Sequence, residues 1–311
     1  MTLTMSLPTH IPVLLSEAVE ALRAQPGKRY IDCTVGLGGH AQAILEKISP
    51  TGQLLGIDAD PEAIDIASTK LSDYSNSVLL VNDNFTNLEA ICRANNFLPA
   101  DGILFDLGIS SLQIDTATRG FSFQQDAQLD MRFSPSQVLT ATDLINILPE
   151  DKLAQLLHEY GEEHHSRQIA RQIVKNRPVV STLQLARIAE QAVGGQRRKI
   201  HPATKTFLAL RLVVNHELEN LEIALNQAIM CLRRRGRLVV ISYHSLEDRV
   251  VKQFMKREST GCICSPHTPV CNCGHLPSLQ LISKKVITPS PAELENNPRS
   301  RSAKLRIAER L

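Results

Sequence analysis

The 311-residue chain is 43% hydrophobic, with 34 Lys and Arg against 32 Asp and Glu and seven cysteines. That composition fits an ordinary soluble globular protein and excludes fibrous or low-complexity classes. No apolar run approaches the roughly 20 residues of a membrane-spanning helix, and Met1 to His10 lack a charged-then-apolar leader, so the chain is expected in the cytoplasm with no membrane partner.

The first chemical signal comes early. Tyr30-Ile31-Asp32 is a short β-prone run ending in an acid, and Cys33-Thr34-Val35-Gly36-Leu37-Gly38-Gly39-His40 breaks it with three glycines before a helix over Ala41 to Ile48. Glycines there let backbone approach a nucleotide-like ligand, and a helix start offers free N–H donors. The next apolar run, Gln53 to Asp58, ends in a second acid about twenty residues on, where a βαβ unit places its ribose-binding carboxylate.

The glycine pattern lacks the third glycine of a dinucleotide fingerprint, since Ala41 stands in that slot, and no Gly-Lys-Ser/Thr phosphate loop occurs. Asp32 and Asp58 would repel a pyrophosphate but suit the cationic ammonium and sulfonium of S-adenosyl-L-methionine. Asp32 can alternatively cap a turn.

Further on, Val78 to Val81 precedes Asn82-Asp83-Asn84-Phe85, and Asp101 to Asp106 precedes Leu107-Gly108. Phe85 is placed to stack on adenine or to fill the core, and Asp83 to accept from the adenine amino group. Four β-type runs thus end at or beside Asp32, Asp58, Asp83 and Asp106, and ligands of open α/β sheets bind at that edge.

A fifth strand is expected over Arg237 to Ser242, after a helix over Leu218 to Leu232 and a turn at Arg235-Gly236. Roughly a hundred residues separate Gly108 from that helix, where short connections are usual. They read as helices: Leu144 to Leu148 capped by Thr142 or Asp143, Glu150 to Tyr160 after Pro149, Arg167 to Lys175 after Ser166, Leu185 to Ala192 after the box-like Ser181-Thr182-Leu183-Gln184, and Ala203 to Asn215. The expected organisation is a first methyltransferase-sheet part (1–113), an inserted helical substrate-recognition domain (114–215) and a second sheet part (216–311). The alternative is a dimerisation or purely structural insert, which leaves a homodimer open.

Leu279 to Thr288 and Ser302 to Glu309 are expected as a terminal antiparallel hairpin completing seven strands. Residues 252–311 hold ten Lys and Arg against four Asp and Glu, and Arg197-Arg198-Lys199 and Arg233-Arg234-Arg235 add basic clusters. Such patches can neutralise phosphates or simply be solvated. Cys262, Cys264, Cys271 and Cys273, with His267 and His275 nearby, favour metal over disulfide in a cytoplasmic protein. Their C-x-C spacing departs from the C-x-x-C of zinc knuckles, so no metal is assigned and the four stand as candidates only. No Pro-Cys pair occurs, which disfavours a covalent cysteine attack on a base.

Segments throughout the chain resemble the MraW family of small-subunit ribosomal RNA cytosine-N4 methyltransferases. They include His10 to Leu15, Asp32 to His40, Gly56-Ile57-Asp58, Asp106 to Gln113, Arg119 to Phe123, Leu129 to Arg132, Tyr160 to Glu163, Ala209-Leu210-Arg211, Ser242 to Arg249 and Arg301 to Arg306. Ala127-Gln128 and Phe133 depart from the family's usual Gly-Pro and Met. The resemblance implies a seven-stranded Rossmann-like α/β sheet with an inserted α-helical domain, and cofactor contacts from Gly38, Gly39, His40, Asp58, Phe85, Asp106 and Gln113. It also implies N4-methylation of a cytosine in the decoding (P-site) region of 16S rRNA within the small ribosomal subunit. By positional analogy with the loop of other amino methyltransferases, Asp106 or a carbonyl in Leu107 to Ser110 is the expected acceptor for the amine, with His244 and Tyr243 as secondary candidates for holding the base or adjacent loops. The alternatives are a methyltransferase of a protein or small molecule, and a cofactor-binding assembly factor without turnover.

Overall fold

The computed structural model describes residues 11–194, 200–265, 270–283 and 285–311. His10, the Arg197-Arg198-Lys199 cluster and His267 lie outside them. Contacts divide the chain into two units, one of residues 1–108 with 221–311 and one of residues 109–220.

The first unit is built on one sheet. Its strands are β1 (Arg29–Asp32), β2 (Gln53–Asp58), β3 (Val78–Asn82), β4 (Ala100–Asp106), β5 (Leu232–Ser242), β6 (Leu279–Leu281) and β7 (Lys304–Arg310). Their order is β3-β2-β1-β4-β5-β7-β6. The first five run parallel, and β7 is antiparallel to both β5 and β6. Helices α1 (Leu15–Leu22), α2 (Gly39–Ile48), α3 (Pro61–Lys70) and α4 (Leu88–Ala94) belong to this unit. So does most of α11 (Glu217–Cys231), with α12 (Ser245–Glu258) and α13 (Pro291–Asn296).

Strand periodicity explains the core. Successive strand residues face opposite sides, so Ile31, Ile57, Ile103, Phe105, Leu238 and Val240 enter one buried cluster. Their neighbours Tyr30, Leu54, Leu104, Val239 and Ile241 enter the other. Both faces are covered, which is why these strands read as continuous apolar runs. The strand order reverses between β1 and β4, and such a reversal opens a crevice beyond the carboxyl ends.

The second unit contains α5 (Ser111–Asp115), α6 (Ala141–Ile147), α7 (Glu150–Gly161), α8 (Ser166–Lys175), α9 (Thr182–Ala192) and α10 (Ala203–Val214). Its own core includes Leu144, Leu153, Leu157, Ile169, Ile173, Leu185, Phe207 and Leu210. Residues 109–220 are wider than the expected 114–215 by five residues at each end.

Several boundaries differ from expectation for local reasons. The α6 cap is Thr140, whose hydroxyl accepts Asp143 N while the Asp143 carboxylate accepts Thr140 N, so Asp143 completes a capping box from inside the helix. At α9 only half of a box forms. Ser181 Oγ accepts Gln184 N, but Gln184 Oε1 takes the N–H of Val180. The expected Arg235-Gly236 turn is an irregularity inside a longer β5: the register jumps from Ala100↔Leu232 to Gly102↔Arg237, with Arg235 at φ 63°. The expected strand over Leu279 to Thr288 shrinks to β6, and Ile287 makes only an isolated bridge to Leu305.

Candidate active site at the carboxyl edge of the sheet

Asp32, Asp58 and Asp106 are the last residues of β1, β2 and β4, and Asp83 follows β3 directly. The glycine loop between β1 and α2 is tied to this edge. Asp58 Oδ2 accepts the N–H of Gly36 at 2.8 Å, and its Oδ1 accepts that of Asp60 at 2.9 Å. Gly36 and Gly38 adopt φ of 50° and 76°, the left-handed region that glycine enters without strain. A methyl at Gly39 would overlap the Pro12 ring. Gly38 is the N-cap of α2 and supplies no side-chain acceptor, so the first-turn N–H groups of α2 face the loop without a side-chain cap.

Asp32 is 1% exposed. Its Oδ1 accepts Thr34 N at 3.1 Å, the turn-capping alternative raised by the sequence. Burial pushes its carboxyl up to about 7, against the pull of His40. Asp58 is likewise raised to about 6 by burial, opposed by the N–H groups of Asp60 and Gly36. A carboxylate has about four lone-pair sites, so Asp58 can also accept from a diol.

Asp106 differs from Asp32 in being reachable, with a side chain 19% exposed. Tyr243 Oη donates to its Oδ1 at 2.7 Å. His40 Nδ1 lies 3.4 Å from its Oδ2, and the backbone N–H of Asp106 donates to Thr34 Oγ1 at 2.7 Å. Burial raises this carboxyl to about 7, the Tyr243 hydrogen bond working the other way and Glu247 adding to the rise. Gly108 (φ 97°) lets Tyr243 lie flat against the chain, since an added Cβ would meet the ring at 3.3 Å.

The tautomer of His40 follows from its surroundings. Nε2 lies 3.0 Å from the carbonyl of Val13, which can only accept, so Nε2 carries a hydrogen. Burial lowers the His40 pKa although Asp32 pulls it up, which keeps the ring neutral. Nδ1 then presents a lone pair to Asp106. The Val13 carbonyl is aimed by an unusual turn: Leu14 sits at φ 51°, and its N–H donates to Glu293 Oε1 at 2.8 Å.

The other expected residues are placed as follows. Phe85 packs edge-on against Phe105, centroids 5.8 Å apart, and joins the core. Asp83 Oδ1 accepts from Asn84 N and Asn87 Nδ2 within its own turn. His244 caps α12, its Nδ1 accepting Glu247 N at 3.4 Å and its Nε2 lying 3.1 Å from Glu247 Oε1. Gln113 belongs to the second unit, where its Oε1 accepts Ser110 N in a capping box. Thr34, Val13 and Glu293 were not singled out from the sequence. Thr34 carried a weak signal, two residues past a strand-end acid, whereas Glu293 is 279 positions from its partner and gave none.

Comparison with known proteins is extensive. The sequence profile described as the MraW methylase family matches residues 8–311. The ribosomal RNA small subunit methyltransferase H of Dehalococcoides mccartyi strain BAV1 is 57% identical over 302 residues, covering 97% of this chain and 86% of that protein. The protein of that name from Thermomicrobium roseum is 49% identical over 306 residues, covering 97% and 94%. Among solved structures, an rRNA methylase from Streptococcus thermophilus aligns with a TM-score of 0.43 at 12% identity, covering 97% of this chain and 99% of that one.

Proposed function

The chain belongs to the MraW methylase family, and from that premise we propose that it transfers a methyl group from S-adenosyl-L-methionine to N4 of a cytosine in the decoding region of 16S rRNA. The single observation that carries the chemical part is Asp106. It is a half-buried but reachable carboxylate at the sheet reversal, held on one side by Tyr243 and faced on the other by the neutral His40.

The residues at this edge fit such a cofactor. Carboxylates at this edge suit its cationic groups, Asp58 suits its ribose, and the α2 start at Gly38 is free of any side-chain cap. Bound there, S-adenosyl-L-methionine supplies a methyl group on a sulfonium, electrophilic enough to need no covalent assistance. Phe85, anchored against Phe105, would contribute an apolar wall beside the adenine.

Cytosine N4 is a poor nucleophile because its lone pair is conjugated with the ring. Asp106, accepting one N–H, turns that lone pair out of conjugation and holds the amine in line with the methyl. The carboxylate then takes the N4 proton, its raised pKa matching it to work near neutrality. The lone pair on His40 Nδ1, fixed by the Val13 carbonyl, offers the proton its next stop.

Asp106→Asn keeps the shape and can still accept an N–H, but cannot take the proton. A loss of about 10²–10⁴-fold in turnover is expected in the folded variant. Single-turnover methylation of small ribosomal subunits measures it, and an unchanged rate would remove Asp106 from the mechanism.

A further inference from the structure

Four sulfurs converge in the loop that joins α12 to β6, a feature that methyl transfer does not use. Cys271 Sγ lies 3.4 Å from Cys262 Sγ, 3.9 Å from Cys264 Sγ and 3.6 Å from Cys273 Sγ. Cys273 Sγ is 3.9 Å from Cys262 Sγ, and all four sulfurs lie within 4.8 Å of one another. A disulfide would bring a pair to about 2.05 Å, and all four thiols are free. A tetrahedron of sulfurs around an ion at about 2.3 Å has edges of about 3.8 Å, close to these four separations of 3.4–3.9 Å.

Among the described residues of the loop, no apolar packing accounts for this convergence. Ile263, Val270 and Leu276 are 49%, 77% and 81% exposed, so no apolar core draws the two C-x-C arms together. Thiols are weak hydrogen-bonding partners for one another. Gly274, directly after Cys273, turns the chain at φ 60°.

We propose that Cys262, Cys264, Cys271 and Cys273 form a tetrahedral four-thiolate site for a structural zinc ion. Four protein ligands leave no open position, so the ion holds the loop and does not act on substrate. The unusual spacing is accommodated because each C-x-C arm supplies two of the four corners. Binding stabilises a loop whose described apolar residues Ile263, Val270 and Leu276 are exposed.

The test uses the full chain, purified under reducing conditions and equilibrated with zinc. One zinc per chain is expected after dialysis. Replacement by cobalt(II) is expected to give the intense thiolate charge-transfer and d–d absorption of a tetrahedral four-sulfur complex. The double variant Cys262→Ser/Cys271→Ser should retain less than about a tenth of the metal, since two of four ligands are gone. Its circular dichroism reports whether the sheet is intact, and the cobalt spectrum of the unaltered chain stands regardless. Absence of both zinc and the cobalt spectrum, disulfides among the four cysteines under the same conditions, or wild-type zinc in the double variant would each overturn the proposal. None of these readouts depends on methyl transfer.

Discussion

Tyr243 and His40 give Asp106 two different environments on its two oxygens. The Tyr243 hydroxyl stabilises the carboxylate, while burial favours the acid. The Tyr243→Phe change removes that donor and leaves burial unopposed, so the Asp106 pKa rises above about 7. Because the ionised form accepts the proton, the rising limb of the pH–rate profile moves to higher pH, by about 1–2 units for a hydrogen bond to a charged group. The rate falls at neutral pH and recovers in alkali. A uniform loss across the profile would instead mark Tyr243 as packing alone. The same burial has a stability consequence. Asp32 and Asp106 hold protons in the folded state to about 7 and Asp58 to about 6, whereas unfolded aspartates ionise near 3.9. The folded state therefore binds more protons across that interval and loses stability as pH rises from about 4 to about 7. A bound cation at this edge offsets the cost.

At the scale of elements, the β1–α2 loop is where sequence and site coincide. Its glycines, the acid before it and the acid after β2 were all legible, because strand periodicity, glycine and a strand-end carboxylate are local signals. Gly38→Ala forces a side chain to φ 76°, at about 1–2 kcal/mol, with the new methyl in contact with Leu71 at 3.4 Å. It should lower both thermal stability and S-adenosyl-L-methionine affinity. Gly194 has a similar φ of 80° with nothing within 4 Å of an added Cβ, so Gly194→Ala should cost stability alone. Calorimetric titration of both variants checks this, and unaltered affinity in Gly38→Ala would detach the loop from the cofactor. What was not legible was long-range. The Thr140 cap was missed because Thr142 and Asp143 offered competing caps, and the β5 bulge because Arg235-Gly236 looks like a free turn. The Val13 carbonyl that fixes the His40 tautomer depends on Leu14 and Glu293, brought together only by the fold.

For the whole molecule, the sheet reversal between β1 and β4 puts the reachable Asp106 beside the glycine loop. The chain leaves the sheet two residues later to build the helical unit of residues 109–220. The α/β sheet was legible from short apolar runs and recurring strand-end acids. The strand order was not, since register and neighbours are set by packing of both faces. Nor could any local motif name the acceptor; that came from the whole-chain resemblance, and the profile match over residues 8–311 supports the family. No helix of the described residues is long and apolar enough to cross a membrane. The central claim is a methyl transfer to cytosine N4 in small-subunit RNA. Its most direct test is incubation of the full chain with methyl-labelled S-adenosyl-L-methionine and small subunits, free ribosomal RNA or protein extract, followed by digestion of labelled RNA to nucleosides. The account predicts label in N4-methylcytidine from small-subunit RNA. Label in protein or another nucleoside, or cofactor binding without any transfer, would contradict it.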